Sequence, residues 1–69
     1  MQSKSLDWTD VRAIASALEA EHPDVDILKL RFTDLHRFVT ALERFAGDPK
    51  KSNEKILEAI QMTWLEERD

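Results

Sequence analysis

Apolar side chains recur every three or four residues in three stretches of the chain, which is the spacing of one face of an α-helix. The pattern predicts helices over about residues 8–21, 33–45 and 52–67. Their apolar faces are expected to meet in one small core. The main predicted core residues are Trp8, Leu18, Phe32, Phe38, Leu42, Ile56, Ile60 and Trp64.

Polar residues and the scarce prolines and glycine mark the ends of these helices. The predicted N-caps are short polar side chains able to accept a hydrogen bond from the first turn, namely Asp7 or Thr9, Thr33 and Ser52. Pro23 ends the first helix because the residue before a proline avoids the α conformation. Gly47 is placed to end the second helix as a left-handed C-cap.

The connection over residues 24–32 is more apolar than an ordinary loop. Leu28, Leu30 and Phe32 alternate with Lys29 and Arg31, which predicts one very short strand without an evident partner strand. Because this connection would pack against the helices, we expect a mainly α fold of helix-turn-helix or winged-helix type. The 69 residues form a single domain, 1–69, with a thin core.

The acidic composition determines which partners are expected. The chain has 14 Asp and Glu against 10 Lys and Arg, a net charge of −4 and no Cys. Nucleic-acid binding needs a concentrated basic surface, so we expect a basic protein or cations instead. The absence of Cys excludes disulfides, thiolate metal sites and cysteine nucleophiles.

The remaining sequence signals are negative ones. No apolar run approaches the roughly 20 residues of a membrane-spanning helix, and Met1 to Ser5 lack the apolar core of a secretory signal. We therefore expect a cytoplasmic protein without a membrane partner. No nucleophile–base set or phosphate loop is present, so we expect no enzyme activity.

The two histidines are candidate metal ligands. His22 follows Glu19 by three residues, a spacing found in carboxylate metal sites. We favour simpler interpretations for both. His22 suits a helix C-terminus beside Leu18, and His36 lies at the surface, because a transition-metal site needs several converging ligands.

The third helix carries apolar and acidic residues away from its buried stripe. At 100° per residue, Glu54 and Glu58 share an outer face, and Met62 and Leu65 fall on the same side. Two apolar side chains on this outer face are expected to be covered, either by a segment of this chain or by a partner protein. The candidate segments are the N-terminal arm and the 24–32 connection.

More acidic residues follow at the end of this helix. Glu66, Glu67 and Asp69 lie where a carboxylate opposes the helix dipole. This unfavourable placement indicates either a use in binding or a frayed, solvated tail.

Several short segments occur in an order and spacing characteristic of one protein family. They are Trp8-Thr9-Asp10, His22-Pro23-Asp24-Val25-Asp26, Arg31-Phe32-Thr33-Asp34-Leu35-His36, Asp48-Pro49, the run from Ser52 to Ile60, and Trp64-Leu65-Glu66-Glu67. Together they resemble the IscX family of bacterial iron–sulfur cluster assembly proteins, from about Leu6 to Glu67.

The resemblance implies a small acidic protein with a modified winged-helix fold that does not act on DNA. It implies docking on the cysteine desulfurase of the ISC machinery, at a basic surface also used by frataxin and ferredoxin. It also implies weak Fe²⁺ binding by surface carboxylates, without a tightly bound cofactor, and a role as adaptor or regulator of sulfur transfer. An alternative is an Fe²⁺ carrier that delivers iron to the assembly scaffold. We expect a monomer.

The resemblance extends to individual acidic residues. The acids that match the family pattern are Asp10, Asp24, Asp26, Asp34, Asp48, Glu54, Glu58, Glu66 and Glu67. The predicted weak iron site is Asp48, Glu54 and Glu58. The predicted partner-binding residues are Glu54, Glu58, Met62, Leu65, Glu66 and Glu67, with Asp10, Arg31, Asp34 and His36 as a second group.

The chain departs from the family pattern at two places. Family members usually carry an acidic run between the second and third helices, where this chain has Arg44-Phe45-Ala46-Gly47-Asp48. An aromatic residue commonly precedes the Pro-Asp pair, where this chain has His22. We therefore expect a poorer iron site than the family's usual one.

Overall fold

Three helices and two short 3₁₀ turns make up the fold. The computed structural model describes residues 5–69, so the expectation about a secretory signal at Met1 to Ser5 falls almost wholly outside it. The helices are α1 (Val11–Glu21), α2 (Phe32–Thr40) and α3 (Glu54–Arg68), and the turns are Ile27–Lys29 and Pro49–Lys51. The prediction of a mainly α, three-helix domain is confirmed, and α1 and α3 form its most extensive helix–helix interface.

The start of α1 differs from the prediction. Neither Asp7 nor Thr9 caps the helix, and Trp8 precedes it, because residues 7–10 close a turn in which the Asp10 N–H donates to the Asp7 carbonyl over 2.9 Å. Asp10 occupies the N-cap position, but its side chain makes no capping hydrogen bond. Its carboxylate accepts the Asp7 N–H over 2.9 Å instead.

The predicted ends of α2 are also wrong. The helix begins at Phe32, with Arg31 rather than Thr33 in the N-cap position, and it ends at Thr40. The chain leaves the helix early because residues 44–46 pair with Leu6, whose N–H donates to the Arg44 carbonyl and whose carbonyl accepts the Ala46 N–H, both over 2.8 Å.

Gly47 has a role other than the predicted left-handed cap. Its φ is not positive, and it lies well beyond the end of α2. A Cβ at this position would lie 2.6 Å from Asp7 Oδ1 and 2.7 Å from Phe45 Cζ. A larger residue at this position would therefore displace the ends of the Asp7 and Phe45 side chains.

The N-cap of α3 is Asn53 and not the predicted Ser52. The Asn53 side-chain oxygen accepts the Ile56 N–H over 2.9 Å. This bond satisfies one of the donors that every helix N-terminus leaves unpaired.

The strand predicted over residues 28–32 is wrong. Residues 27–29 form a 3₁₀ turn, in which the Lys29 N–H donates to the Asp26 carbonyl over 3.1 Å and the Leu30 N–H to the Ile27 carbonyl over 3.2 Å. A lone strand would leave such groups unpaired, whereas the turn satisfies them locally. Within residues 5–69 the β pairing is one isolated bridge, Leu6 with Phe45, so that part of the chain has no sheet. The arrangement is compatible with a winged-helix type fold.

The core lies between α1, α2 and α3. Among the predicted core residues, the buried ones are Trp8, Leu18, Leu42, Ile60 and Trp64. Phe32, Phe38 and Ile56 are only partly buried and pack around it. Other buried positions are Leu6, Ile14, Ala15, Ile27, Leu35, Val39 and Leu57. No described helix is both long and apolar enough to span a bilayer.

Candidate functional site

The outer face of α3 presents an apolar side chain between two carboxylates. Glu58, Met62 and Glu66 follow one another at intervals of four residues, so they line one side of the helix. All three are exposed, and 54% of Met62 is accessible to solvent. This side points away from Ile60 and Trp64, which are buried. The predicted exposure of Met62 is therefore confirmed.

Two of the predicted partner-binding residues contact the rest of the domain instead. Leu65 is half-buried and packs against the core. Glu67 accepts a hydrogen bond from the Ser16 hydroxyl over 2.9 Å and pairs with Arg12 at 3.5 Å, which leaves 27% of its side chain exposed. Both residues thus attach α3 to the rest of the domain.

The last turn of α3 is held by a cluster that the sequence analysis missed. The Arg68 Nε donates to Glu19 Oε1 over 2.9 Å, and the Trp64 indole N–H donates to the same oxygen over 2.9 Å. Arg68 also donates to the carbonyl of His22 over 2.9 Å and to that of Val25. These contacts contradict the interpretation of a frayed tail. No local pattern could have found them, because Glu19 and Arg68 lie 49 positions apart in the chain.

The geometry around His22 agrees with the simpler interpretation of that residue. Its ring stacks on Phe38 with 4.3 Å between centroids and 8° between planes. The carboxylate of Glu19, its suggested co-ligand, is already bonded to Trp64 and Arg68. The spacing of these two residues therefore reflects packing at the end of α1.

Leu28 is an exposed apolar residue that the sequence analysis assigned to a strand. It is 71% exposed, and it and Met62 are the exposed large hydrophobic residues of the described chain. The preceding residue, Ile27, is buried and its carbonyl accepts the Gln61 side-chain N–H over 2.9 Å. Leu28 and Met62 each follow directly after one residue of the Ile27–Gln61 hydrogen bond. We use "docking surface" below for Leu28, Glu58, Met62 and Glu66.

The second group of predicted partner residues lies at the starts of α1 and α2. Asp10 is bonded to the backbone of Asp7. His36 stacks on Trp8 at 5.6 Å between centroids, and its Nε2 lies 2.7 Å from the Pro49 carbonyl oxygen. Among the others, Arg31 is exposed and Asp34 is half-buried in the first turn of α2.

Comparison with known proteins identifies the family. Residues 6–69 match a family model described as iron–sulphur cluster assembly. The chain belongs to this family. An uncharacterized protein of Pseudomonas aeruginosa is 52% identical over 65 residues, which cover 94% of this chain and 98% of that protein. Membership in the iron–sulphur cluster assembly family connects the chain with the assembly machinery.

An iron–sulphur cluster assembly protein raises the question of where metal would bind. Within residues 5–69, no three or more His, Asp or Glu side chains lie close enough together to hold a metal ion. Of the predicted iron ligands, Asp48 uses its Oδ1 to accept the Lys50 N–H over 2.9 Å, whereas Glu54 and Glu58 are exposed on α3. Weak iron binding by this set stays a prediction.

Proposed function

We propose that this chain is an IscX-like adaptor or regulator, not an enzyme, that binds the cysteine desulfurase of the assembly machinery. The docking surface is the proposed contact. The observation that carries this proposal is the exposure of Met62 between Glu58 and Glu66, one helical turn away on either side. Leu28 adds a second exposed apolar side chain, in the turn whose Ile27 carbonyl is bonded to Gln61 of α3.

The two kinds of residue in the docking surface have different physical roles. A carboxylate at the rim attracts a basic partner at long range and mainly raises the association rate. Apolar side chains that lose water at the centre of an interface usually supply most of the binding energy. Glu58 and Glu66 suit the role of rim carboxylates. Met62 and Leu28 suit the role of apolar contacts at the centre of the interface. Frataxin and ferredoxin would compete if they occupy the same basic surface of the desulfurase.

Iron has a secondary part in this proposal. Carboxylates alone are hard ligands that hold Fe²⁺ loosely, and Glu54 and Glu58 are one turn apart on α3. We expect weak, diffuse Fe²⁺ binding by these two carboxylates, because no three acidic side chains within residues 5–69 converge on one point. An Fe²⁺ carrier is the alternative function, and it predicts that the partner binds only the iron-loaded chain.

The deciding experiment titrates purified desulfurase into the labelled chain, with and without Fe²⁺, and measures both rate constants at two salt concentrations. Met62→Ala should speed dissociation by about 5- to 30-fold, because lost packing acts mainly on the off-rate. Glu58→Lys should slow association and flatten its salt dependence. Glu21→Lys makes the same charge change at an exposed position at the end of α1 and serves as the control.

The outcomes separate the alternatives. Binding without metal supports the adaptor, and binding only with Fe²⁺ supports the carrier. If Met62→Ala and Glu58→Lys both bind like the unmodified chain, the docking surface is wrong. Leu65→Ala is unsuitable for this test, because Leu65 packs on the core and its loss would also lower stability.

A further inference from the structure

The sulfur atoms of the chain are few, and the structure places one of them in the docking surface. The sequence has two methionines and no cysteine, and Met1 lies outside the described residues. Met62 therefore carries the one sulfur atom of residues 5–69. The buried core of these residues consists of Leu, Ile, Val, Ala and Trp side chains. A reagent that attacks thioethers consequently reaches the docking surface and leaves the described core unchanged.

The surroundings of Met62 leave its sulfur open to attack from solvent. The residue is 54% exposed on the outer face of α3. Glu58 and Glu66, one turn away on either side, are acceptors when ionised and have no proton to donate to the sulfur lone pairs. Leu28, the other exposed large apolar residue of the described chain, has no heteroatom in its side chain. The docking surface thus holds one apolar side chain that an oxidant converts into a polar one and one that it does not.

The reaction of a methionine with a peroxide is a two-electron oxygen transfer. The sulfur lone pair attacks one peroxide oxygen, the O–O bond breaks and an S–O bond forms. With hydrogen peroxide, the second oxygen takes the proton of the transferred one and leaves as water. The sulfur is oxidised to the sulfoxide, and the peroxide is reduced. Thiol-dependent methionine sulfoxide reductases reverse the change, since two thiols become a disulfide and the sulfoxide oxygen leaves as water.

A sulfoxide is unsuited to the centre of a desolvated interface. Oxidation turns a flexible apolar side chain into a polar one with a strong acceptor oxygen. That oxygen loses its water when the docking surface is covered, and neither neighbouring carboxylate has a proton to donate to it. Glu58 and Glu66 keep their charges, so the long-range attraction of a basic partner is retained. Oxidation therefore acts on the close contact and not on the encounter.

We propose that Met62 is a reversible oxidation site through which peroxides switch off the docking surface. This regulation rests on the proposed adaptor function and acts on the same surface. In the reduced form, Met62 and Leu28 contact the desulfurase. In the sulfoxide form, the complex dissociates faster while the chain stays folded, because the modified side chain lies in solvent on the outer face of α3. Reduction of the sulfoxide restores the contact.

The test oxidises the full chain with hydrogen peroxide in the presence of a metal chelator, removes the peroxide with catalase, and then measures binding to purified desulfurase. Mass spectrometry of peptides should show one added oxygen at Met62. The dissociation rate constant should rise about 10- to 100-fold, and the association rate constant should change by less than about twofold. Treatment with a pair of reductases, one for each sulfoxide epimer, should return the dissociation rate constant to its original value.

Two variants serve as matched controls. Met62→Leu keeps an apolar side chain of similar volume that peroxide does not oxidise, and it retains Met1. Its binding should change by less than about twofold after peroxide treatment, so an effect of oxidation at Met1 is measured separately. Met62→Gln places a polar amide at this position and should dissociate rapidly with or without peroxide. Circular dichroism of the oxidised chain and of both variants checks that the helices and the unfolding midpoint are retained.

Several results would overturn the proposal. These are an unmodified Met62 after a treatment that oxidises free methionine, equal dissociation of the oxidised and reduced chains, or equal sensitivity of Met62→Leu to peroxide. A loss of the helical signal on oxidation would also contradict it, since the effect would then be one of unfolding. Failure of the adaptor role is distinguishable, because the reduced chain then does not bind the desulfurase at all. Failure of the switch alone leaves that binding intact and insensitive to oxidation.

Discussion

The two ends of α3 carry similar densities of charge but use them differently. In the last turn, Glu67 bonds to Ser16 and Arg68 bonds to Glu19, so both charged side chains tie α3 to α1. In the first two turns, Lys55 and Glu58 are exposed and form no ion pair within the described chain. Glu67 and Arg68 at one end hold the fold, whereas Lys55 and Glu58 at the other end are available to partners.

The difference follows from what faces each end of the helix. The last turn packs beside the end of α1 and the 22–25 loop, which offer a carboxylate and two carbonyl oxygens to Arg68. Within residues 5–69, no other element forms an ion pair with the outer side of the first turns. Helical position alone therefore does not reveal whether a charged residue is structural.

The largest expected effect is at Trp64, which anchors the C-terminal end. Trp64→Ala should lower the free energy of unfolding by about 3–5 kcal/mol, because the side chain is fully buried. Trp64→Phe keeps most of the apolar volume and loses the hydrogen bond to Glu19, so it should cost about 1–2 kcal/mol. Urea unfolding followed by circular dichroism measures both. An unchanged midpoint for Trp64→Ala would contradict the packing of this end.

Alanine substitutions at Arg68 and Lys55 compare the two ends of α3 directly. Arg68→Ala removes the ion pair with Glu19 and the bonds to two carbonyls, so it should cost about 1.5–3 kcal/mol. Lys55→Ala removes an exposed cation without an ion pair and should change stability by less than about 0.5 kcal/mol. Thermal unfolding of both variants at one salt concentration checks the contrast. Equal melting temperatures would mean that the Arg68 cluster adds nothing to the fold.

A smaller loss of stability than at Arg68 is expected at the N-cap of α3. Asn53→Ala should cost about 1 kcal/mol, because it removes the side-chain oxygen that accepts the Ile56 N–H. Ser52→Ala is the matched control and should cost less than about 0.5 kcal/mol. If urea unfolding shows a larger loss of stability for Ser52→Ala than for Asn53→Ala, the N-cap is Ser52, as the sequence pattern predicts.

Individual residues show which features of the candidate site can be predicted from the sequence. Met62 was predicted to be exposed because helical periodicity places it opposite Ile60 and Trp64, and the structure agrees. Leu65 was assigned to the same side, yet it packs on the core. A residue at the edge of an apolar stripe is covered or exposed according to its neighbours, which periodicity does not contain.

The prediction of a strand at Leu28 was wrong for a different reason. Alternation over residues 28–32 is typical of a strand, but pairing needs a second strand with free hydrogen-bonding groups. Within residues 5–69 the residues with β-type backbone pairing are Leu6 and Phe45, and residues 27–29 close a 3₁₀ turn instead. The turn buries Ile27 and exposes Leu28.

The sequence by itself determined the number of helices, their approximate positions, the acidic balance and the resemblance to an iron–sulfur cluster assembly family. These properties depend on local periodicity, composition and ordered motifs, which are present in the chain before it folds. Only the tertiary structure decided the helix ends, the Glu19–Trp64–Arg68 cluster and the bond between Gln61 and the Ile27 carbonyl. Each of these joins side chains or backbone groups from distant segments, and their contacts exist only once the helices have packed.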